Sequence, residues 1–425
     1  MRKLQVSIEV NGEQTHVGEI AGDDAFSASF QYSDTWLNSG NAMPISVNLP
    51  LTEQAFSPRE TRIFFEGLLP EGFLRKTIAK SNQIDQSDYL TLLELLGTEC
   101  LGAVQIEGER TIDLTARRYH RLGDDALWDL AREGAGKSVE LVVESRLSLT
   151  GASGKIGVYR DLEGNWYLPT GSAPSTHILK QSHIRYRHIV QNEQLCQLTA
   201  KILGIQIPES TMISCGNDDS RENVLFATER FDRTFDGSNK SASGMPCPLR
   251  LHQEDFGQAM GIVLADKYER TDTKYMKKMF DLLRERSASP VEDQIKLWDM
   301  IVFHYLAGNT DGHIKNFSLL YGKDLKRIRL APAYDLVSTI IYDNHSSQMA
   351  FAIGGIRDWA EIDRRAFRRA ADEIGLNEKL FMNRFDTMHE GFTQAIEKAA
   401  DVLAASGYEE VHDIAGKIIS KYQTR

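Results

Sequence analysis

The sequence predicts an α+β fold in which strands alternate with a few helices in the first half and helices dominate the second half. Alternating apolar positions open the chain, a second strand-like stretch begins near residue 140, and helical patterns follow residue 249. A length of 425 residues suggests roughly two to three domains. We predict an N-terminal subdomain at 1–110, a second domain at 111–240 and a mostly helical domain at 241–425.

The composition is that of a globular protein, with 41% hydrophobic and 26% charged residues. No run approaches the roughly 18 apolar residues of a membrane-spanning helix, and the start MRKLQVSIEV lacks the apolar core of a signal peptide. The four cysteines are widely scattered, without CxxC spacing, so neither a zinc site nor a disulfide framework is predicted. These features favour a cytoplasmic protein with no membrane partner.

The net charge of −11 argues against independent DNA binding, because a protein that neutralises many phosphates is usually basic. A local basic patch is formed by Arg364, Arg365, Arg368 and Arg369. Their helical spacing predicts a solvated helix face rather than a nucleic-acid site.

Local patterns predict the first elements. Val6, Ile8 and Val10 alternate along a strand, and Asn11-Gly12 predicts a type I′ turn into a second strand. Ser57-Pro58-Arg59-Glu60 is a capping box that begins a helix. A second helix is predicted from Asp88 to Leu96, ending at Gly97.

The middle of the chain is predicted to be strand-rich. We expect strands in the stretch from about residue 140 to 161 and in THILK at 176–180, then a helix at 192–203 closed by Gly204. VLFATERFDR at 224–233 follows, and the Gly/Ser/Pro-rich stretch 235–249 is expected to be a linker to the helical half.

The segment GNTDGHIKNFS carries the most informative spacing. Asp311 and Asn316 are separated as in D-x-x-x-x-N, where a carboxylate meets the substrate hydroxyl and an amide oxygen holds Mg²⁺ on the phosphates. Asp335 follows 24 residues after Asp311 and is a candidate second metal ligand, since Mg²⁺ prefers oxygen donors. Alternatively, Asp311 and Asn316 are turn and cap residues of a glycine-rich loop.

Three further segments are weaker. Ser148 to Ile156, SLTGASGKI, is a glycine-rich turn that could hold phosphate or be an ordinary β-turn, and it is not a Walker A loop. Lys180 ends a strand and Glu193 lies on the next helix, the arrangement by which kinases direct a cation at phosphates. ERFDR at 229–233 lies where an interlobe hinge would lie, or forms a surface ion-pair cluster.

These segments follow one another in the order of a protein kinase, and together they resemble the HipA family over nearly the whole chain. The resemblance depends on SLTGASGK, STHILK, NEQLCQLTAKILGIQIPE, ERFDR, LHQEDFGQAMGI, GNTDGHIKNFS and APAYDLVST, and on LPLTE, FFEGLLPEG and LGTECLGAVQI nearer the N-terminus. It implies a bilobal, protein-kinase-like α+β fold with an extra N-terminal α/β subdomain and a mostly helical C-terminal lobe.

The resemblance also implies the roles of individual residues. Asp311 would be the catalytic base, Asn316 and Asp335 the Mg²⁺ ligands, and Ser148 an autophosphorylated residue that inactivates the protein. The residues implied to contact ATP are Thr150, Gly151, Ala152, Ser153, Gly154, Lys155, Lys180, Glu229, Arg230, Phe231, His313, Ile314, Lys315, Asn316, Tyr334 and Asp335.

Two positions depart from the family pattern. The family loop usually contains A-Q-E-K, whereas this chain has Ala152-Ser153-Gly154-Lys155, which predicts a more flexible loop. Thr310 rather than Arg precedes Asp311, so the arginine by which ordinary kinases sense activation-loop phosphorylation is missing.

The implied function is that of a serine/threonine protein kinase toxin using ATP and Mg²⁺. Relatives arrest growth by phosphorylating a translation component, in the best-known case glutamyl-tRNA synthetase. The implied partner is a small HipB-like helix-turn-helix antitoxin, which would bring the complex to DNA. Two alternatives stay open, a small-molecule alcohol kinase on the same fold and an inactive co-repressor module.

Overall fold

A computed structural model describes residues 1–108, 117–133, 135–145, 154–182, 186–216, 223–271, 273–343 and 345–424. The chain forms two compact units. The first unit comprises Met1–His183, Ile213–Leu264 and Leu320–Arg327, and the second comprises Ile184–Met212, Ala265–Leu319 and Ile328–Arg425. The expected domain limits at residues 110 and 240 stay a prediction.

The first unit begins with an antiparallel sheet. Its strands are β1 (Arg2–Val10), β2 (Glu13–Gly22), β3 (Ser29–Tyr32) and β4 (Val104–Glu107), in the order β3-β2-β1-β4. Asn11 and Gly12 join β1 to β2 with φ angles of 52° and 88°, the left-handed pair that a type I′ turn requires. The predicted strand and turn are confirmed.

Helices also occur in the first 145 residues of the chain. They are α1 (Asp34–Leu37), α2 (Pro58–Glu66), α3 (Gly72–Ser81), α4 (Tyr89–Leu96), α5 (Asp124–Glu133) and α6 (Ala135–Ser145). The capping box of α2 is present, because Ser57 accepts from the Glu60 backbone and the Glu60 side chain accepts from the Ser57 backbone. Asp88 caps α4 and Gly97 follows its last turn, as predicted.

A second sheet contains the candidate lysines. Its strands are β5 (Arg118–Leu122), β6 (Lys155–Arg160), β7 (Trp166–Thr170), β8 (His177–Gln181), β9 (Ser210–Ser214) and β10 (Val224–Glu229), in the order β5-β7-β6-β8-β10-β9. The expectation of strand from residue 140 was wrong at its start, since α6 extends to Ser145. Val139 and Val142 are buried three residues apart, so one apolar helix face outweighs the strand propensity of valine.

The stretch expected to be a linker is a β-hairpin instead. Its strands β11 (Arg233–Lys240) and β12 (Pro246–Arg250) pair antiparallel, with Asn239 opposite Cys247. The glycines and serines serve the turn: Gly244 has a φ of 84°, and the Ser241 hydroxyl accepts from the Met245 backbone.

The remaining elements complete the chain. The strands are β13 (Gln253–Asp255), β14 (Ser318–Tyr321), β15 (Ile328–Leu330), β16 (Gln348–Ile353) and β17 (Ile356–Asp358). The helices are α7 (Ile189–Ile202), α8 (Phe256–Ala259), α9 (Tyr275–Arg286), α10 (Pro290–Ala307), α11 (Arg364–Ile374), α12 (Glu378–Ala405) and α13 (Val411–Gln423), with 3₁₀ turns at Leu264–Asp266 and Ile314–Asn316.

Helix α10 is the centre of the second unit. It packs against α9 and α12, and Trp298 meets the rings of Phe367 and Phe381 edge-on at 5.6 and 5.3 Å. Such aromatic contacts add to the free energy of burial and fix the rotation of the helix. The rigid helix ends at Ala307, where the candidate catalytic loop begins.

Several smaller expectations are settled as well. The predicted helix at 192–203 is α7, which begins earlier at Ile189. The four cysteines are free and buried. The basic patch lies on α11, where Arg364 and Arg368 pair with Asp386 and Glu378. None of the helices in the part of the chain that the structure describes is long and apolar enough to cross a membrane.

A buried ion cluster lies within the first unit, at the end of β10. The Glu99 carboxylate accepts from Arg233 at 2.8 Å, from Arg250 at 2.6 Å and from Arg230 at 3.2 Å, and also from the backbone and hydroxyl of Ser175. All four charged side chains are at most 2% exposed. Burial alone would raise the pKa of Glu99, but Arg233, Arg250 and Arg230 hold this pKa well below its usual range.

Two further carboxylates complete the cluster. Asp232 accepts from Arg230 at 2.7 Å and from the Gly102 backbone at 2.7 Å. Glu9 accepts from the backbone of Arg250 at 2.8 Å. Three arginines therefore meet three carboxylates, and the buried charges cancel.

We expect Glu99→Gln to lower the free energy of unfolding by about 3–5 kcal/mol, because it leaves three buried arginines with two carboxylates. Urea denaturation measures the change. Glu94→Gln is the matched control, since Glu94 forms a partly exposed pair with Arg2 at 3.4 Å and should contribute under about 1 kcal/mol. Equal stability of the two variants would contradict the role of the cluster.

Candidate catalytic site

The candidate catalytic loop begins where α10 stops abruptly. Gly308 follows the helix with a φ of 64°, and its N–H bonds back to the last helical turn. A Cβ at this position would lie 2.3 Å from Cγ2 of Ile340, so a larger residue would clash. Glycine therefore ends the helix and turns the chain sharply into the segment that carries Asp311.

One hydroxyl fixes the start of the loop. Oγ1 of Thr339 accepts from the Thr310 backbone N–H at 2.8 Å, contacts the Thr310 hydroxyl at 2.8 Å and donates to the Gly308 carbonyl at 3.1 Å. The backbone N–H of Thr339 also donates to the Gly308 carbonyl. Thr310, which departs from the family pattern, is thus buried and joins the loop to the segment around residue 339.

Asp311 is half-buried, and its backbone is held on both sides. Its N–H donates to Oδ1 of Asn309 at 3.2 Å, and its carbonyl accepts from the His313 backbone at 2.7 Å and from Nδ2 of Asn316 at 3.3 Å. The last bond directs the amide nitrogen of Asn316, rather than its amide oxygen, toward the Asp311 carbonyl. The Asp311 carboxylate accepts a hydrogen bond from the Tyr268 hydroxyl.

Asp335 is joined to the same network. Its carbonyl accepts from Nδ2 of Asn309 at 3.2 Å, so Asn309 connects the backbones of Asp311 and Asp335. The φ of Asp335 is 57°, a left-handed conformation that is uncommon for a residue with a side chain. Such strain persists where surrounding contacts enforce it, and it clusters at functional sites.

A buried histidine lies beneath the loop. Burial lowers the pKa of His304 to about 4. The charge of Asp335 acts to raise this pKa and that of His313 acts to lower it. The His304 ring is therefore neutral at neutral pH. Nδ1 of His304 lies 2.8 Å from where a Cβ of residue 312 would be, and Gly312 is therefore the residue that fits.

Other predicted residues of this site also lie in the second unit. Ile314 is fully buried in the 3₁₀ turn. The Tyr334 hydroxyl donates to the Lys315 carbonyl at 2.9 Å and lies 2.7 Å from the Ser318 hydroxyl. Tyr334 therefore holds the end of the loop close to the start of β14.

The predicted phosphate-binding lysines lie in the first unit. Lys155 on β6 is directly opposite Lys180 on β8, so both side chains project from one face of the sheet. The Lys180 ammonium lies 5.5 Å from the centre of the Phe226 ring. A Cβ at Gly154 would lie 2.1 Å from Nε2 of Gln181, so a larger residue immediately before Lys155 would require the Gln181 side chain to shift.

The predicted hinge residues differ in their surroundings. Glu229 is exposed at the end of β10, and Phe231 is half-buried. The Arg230 side chain takes part in the buried ion cluster. The backbone N–H of Arg230 donates to the Thr176 carbonyl at 2.9 Å. A side-chain contact between Arg230 and a nucleotide would therefore require the ion cluster to break.

The predicted phosphate loop is described only at its end. Ser148, Thr150, Gly151, Ala152 and Ser153 lie outside the described residues. The predicted Lys180–Glu193 pair joins a residue of the first unit to one of the second, and it stays a prediction.

Comparisons with known proteins identify the family. The profile of the HipA-like C-terminal domain matches residues 147–400, and that of the HipA N-terminal domain matches residues 8–107. The chain belongs to the HipA family. The match to the C-terminal domain covers more than half of the chain, which confirms the resemblance seen in the sequence.

Individual relatives agree with this assignment. Protein Y4mE of Sinorhizobium fredii, named as a kinase, is 32% identical over 394 residues, 91% of this chain and 90% of the relative. The serine/threonine-protein kinase toxin HipA of Shewanella oneidensis is 25% identical over 430 residues, 96% and 93% of the two chains.

A solved structure confirms the fold. The chain is similar to the Shewanella oneidensis HipA in a complex with HipB and operator DNA, with a TM-score of 0.80 and 22% identity, over 99% of this chain and 97% of that chain. The predicted α+β, HipA-like fold is therefore confirmed.

Sequence reasoning missed the residues that support this HipA-type loop. They are Tyr268, His304, Asn309 and Thr339. Asn309 and His304 lie close to the D-x-x-x-x-N segment, but nothing in their spacing indicates a role. Tyr268 and Thr339 are 43 and 28 residues from Asp311 in the chain, and only the fold brings them to it.

We expect Thr339→Val to lower the free energy of unfolding by about 1–3 kcal/mol, because the buried Thr310 N–H loses its partner while the side-chain volume is kept. Thr339→Ser keeps the hydroxyl and is the matched control. Denaturant unfolding of both variants tests this, and a valine variant at least as stable as the serine variant would show that the hydroxyl is dispensable.

Proposed function

We propose that this HipA-family chain is an ATP- and Mg²⁺-dependent serine/threonine protein kinase. The observation that carries the proposal is a hydrogen-bond network in which Asn309 joins the backbones of Asp311 and Asp335, and Asn316 donates to the Asp311 carbonyl. It combines a carboxylate suited to a base with the two oxygen donors that a kinase directs at its metal. The kinase names of the relatives support the same reaction class.

The donor set fits magnesium. Mg²⁺ is typically held by one or two protein oxygens together with phosphate oxygens and water, which the Asn316 amide and the Asp335 carboxylate would provide. In the described parts of the chain no cluster of three or more His, Cys, Asp or Glu residues is suited to a metal. Bound Mg²⁺ would offset the charge that the transferred phosphoryl group carries.

Asp311 has the role of proton acceptor. As the oxygen of a serine or threonine hydroxyl bonds to the γ-phosphorus, its proton passes to the Asp311 carboxylate and the bond to ADP breaks. The bonds from Asn309, His313 and Asn316 to the backbone of Asp311 keep the carboxylate in place during this transfer.

The first unit supplies the phosphate contacts in this proposal. Lys155 and Lys180 form a basic spot on one sheet face, to which phosphate oxygens are complementary. Thr150 to Gly154 would form the backbone of the phosphate loop, and Glu229 to Phe231 would contact adenine and ribose through backbone atoms. His313 to Lys315 and Tyr334 would line the nucleotide beside the metal.

We expect Asp311→Asn to slow phosphate transfer by about 100- to 10,000-fold, because the amide cannot accept the proton. ATP affinity should stay within a few-fold, since the substitution leaves the backbone bonds intact. Phosphate incorporation and nucleotide titration measure both quantities. Asp401→Asn is the control, an exposed aspartate whose side chain is 76% exposed on α12. Near-normal transfer by Asp311→Asn would remove Asp311 from the mechanism.

The biological role follows from the family. We propose that the chain is the toxin of a toxin–antitoxin pair, that its substrate is a translation-related protein such as an aminoacyl-tRNA synthetase, and that phosphorylation of Ser148 inactivates it. We also propose a small HipB-like helix-turn-helix partner, as in the Shewanella oneidensis complex. The net charge of −11 supports DNA contact through that partner rather than by the chain itself.

We expect the chain to bind DNA only when the antitoxin is present. Affinity purification from the native host should recover a small DNA-binding protein, and a gel-shift assay should show a complex on the operator only with both proteins. Asp311→Asn should behave like the wild type, since binding needs no phosphate transfer. Tight, sequence-specific operator binding by the chain alone would contradict the proposal.

A further inference from the structure

Tyr268 reaches the candidate base from a distant part of the second unit. It follows the 3₁₀ turn Leu264–Asp266, and its hydroxyl donates a hydrogen bond to Oδ1 of Asp311. The Tyr268 ring also meets the His313 ring edge-on, with centroids 5.4 Å apart. The tyrosine is nevertheless 39% exposed, so it lies at the surface while covering part of the loop.

The backbone beside Tyr268 is firmly held. Glu269 is 5% exposed, and its carboxylate accepts from the backbones of Tyr275 at 2.7 Å and Ala352 at 2.5 Å. Its backbone N–H donates to the Ala350 carbonyl, and Arg357 donates to the Glu269 carbonyl at 2.7 Å. These bonds determine where residue 268 lies, so its contact with Asp311 is built into the fold.

The side chain of Tyr268 remains able to turn away. Exposed side chains change rotamer on the picosecond to nanosecond scale, whereas the Glu269 contacts hold only the adjoining backbone. The hydroxyl can therefore leave Asp311 without unfolding of the segment.

The hydrogen bond between Tyr268 and Asp311 resembles the bond that a substrate hydroxyl would form with the base before transfer. A neutral O–H donates to one oxygen of the Asp311 carboxylate, which is the hydrogen bond that an acceptor serine or threonine must form before transfer. We propose that Tyr268 occupies the acceptor-hydroxyl position and excludes water from the base until a substrate hydroxyl displaces it. This inference rests on the proposed function, because it takes Asp311 as the base.

The consequence is a low rate of futile ATP hydrolysis. With Tyr268 on Asp311, a water molecule must compete with the tyrosine hydroxyl for this carboxylate oxygen. A bound protein substrate holds its hydroxyl at Asp311 through its other contacts, so it displaces the tyrosine more readily than a free water molecule does. Tyr268 thereby favours a protein hydroxyl over water.

The test is ATP hydrolysis by the full-length chain with Mg²⁺ and no acceptor protein. Tyr268→Phe removes only the hydroxyl, and Tyr268→Ala also removes the ring. Both variants should hydrolyse ATP faster than the wild type, by roughly 3- to 10-fold, the worth of one hydrogen bond. Adding Asp311→Asn to either variant should abolish the increase.

Tyr167→Phe is the matched control. The Tyr167 hydroxyl donates to Asp161 at 2.9 Å in the first unit, the same kind of bond away from Asp311, and its loss should leave hydrolysis unchanged. A lower hydrolysis rate in Tyr268→Phe would overturn the inference and make Tyr268 a residue that positions the base. An unchanged rate, or phosphate found on Tyr268 itself, would also overturn it.

Failure of the proposed function gives a different result. If the wild type and both Tyr268 variants neither hydrolyse ATP nor transfer phosphate to any protein, the kinase proposal fails, and the inference fails with it. If the wild type transfers phosphate through Asp311 but the Tyr268 variants hydrolyse ATP no faster, only the inference about Tyr268 fails.

Discussion

The cancellation of six buried charges is the constraint on which the first unit depends. The Glu99 carboxylate pairs with three arginines, whose charge it cannot neutralise alone. Asp232 and Glu9 supply the other two negative charges. Isolated, each ion would be strongly destabilising in this environment, so the segments that carry the six groups must come together for any of them to be buried. This requirement joins the N-terminal sheet to the end of β10, close to the strands that carry the candidate lysines.

In the second unit, neutral side chains rather than ion pairs satisfy buried polar groups. The Thr339 hydroxyl and the Asn309 amide satisfy backbone groups that a sharp, glycine-initiated loop would otherwise leave buried without partners. In the proposed function, the Asp311 carboxylate would benefit from this arrangement, because a loop that is already ordered pays less for positioning its base when substrates bind. The left-handed φ of Asp335 is maintained by these contacts.

Local signals in the sequence correctly predict three elements near the start of the chain. The Asn11-Gly12 turn, the Ser57 capping box and the helix closed by Gly97 depend on residues a few positions apart. The hairpin at 233–250 was mistaken for a linker, because its glycines and serines resemble a flexible segment until the two strands pair.

The residues of the candidate site also divide into those that the local sequence indicates and those that only folding brings together. The D-x-x-x-x-N spacing and the family resemblance pointed to Asp311 and Asn316, whose separation is set within one loop. Tyr268 and Thr339 could not be found this way, because their contacts with the loop arise from tertiary packing and leave no periodic signal. The Arg230 side chain pairs with Glu99 and Asp232 inside the fold, a use that its charged run does not indicate, and the predicted nucleotide contact of this segment stays a prediction.

In the proposed kinase, one network presents a base and two metal ligands to the same phosphate group. The most direct measurement is a crystal structure of the chain with Mg²⁺ and a non-hydrolysable ATP analogue. We expect Mg²⁺ at about 2.1 Å from Oδ1 of Asn316 and from the Asp335 carboxylate, with the Asp311 carboxylate facing the γ-phosphate. A metal ion held away from both residues, or a nucleotide bound elsewhere, would contradict it.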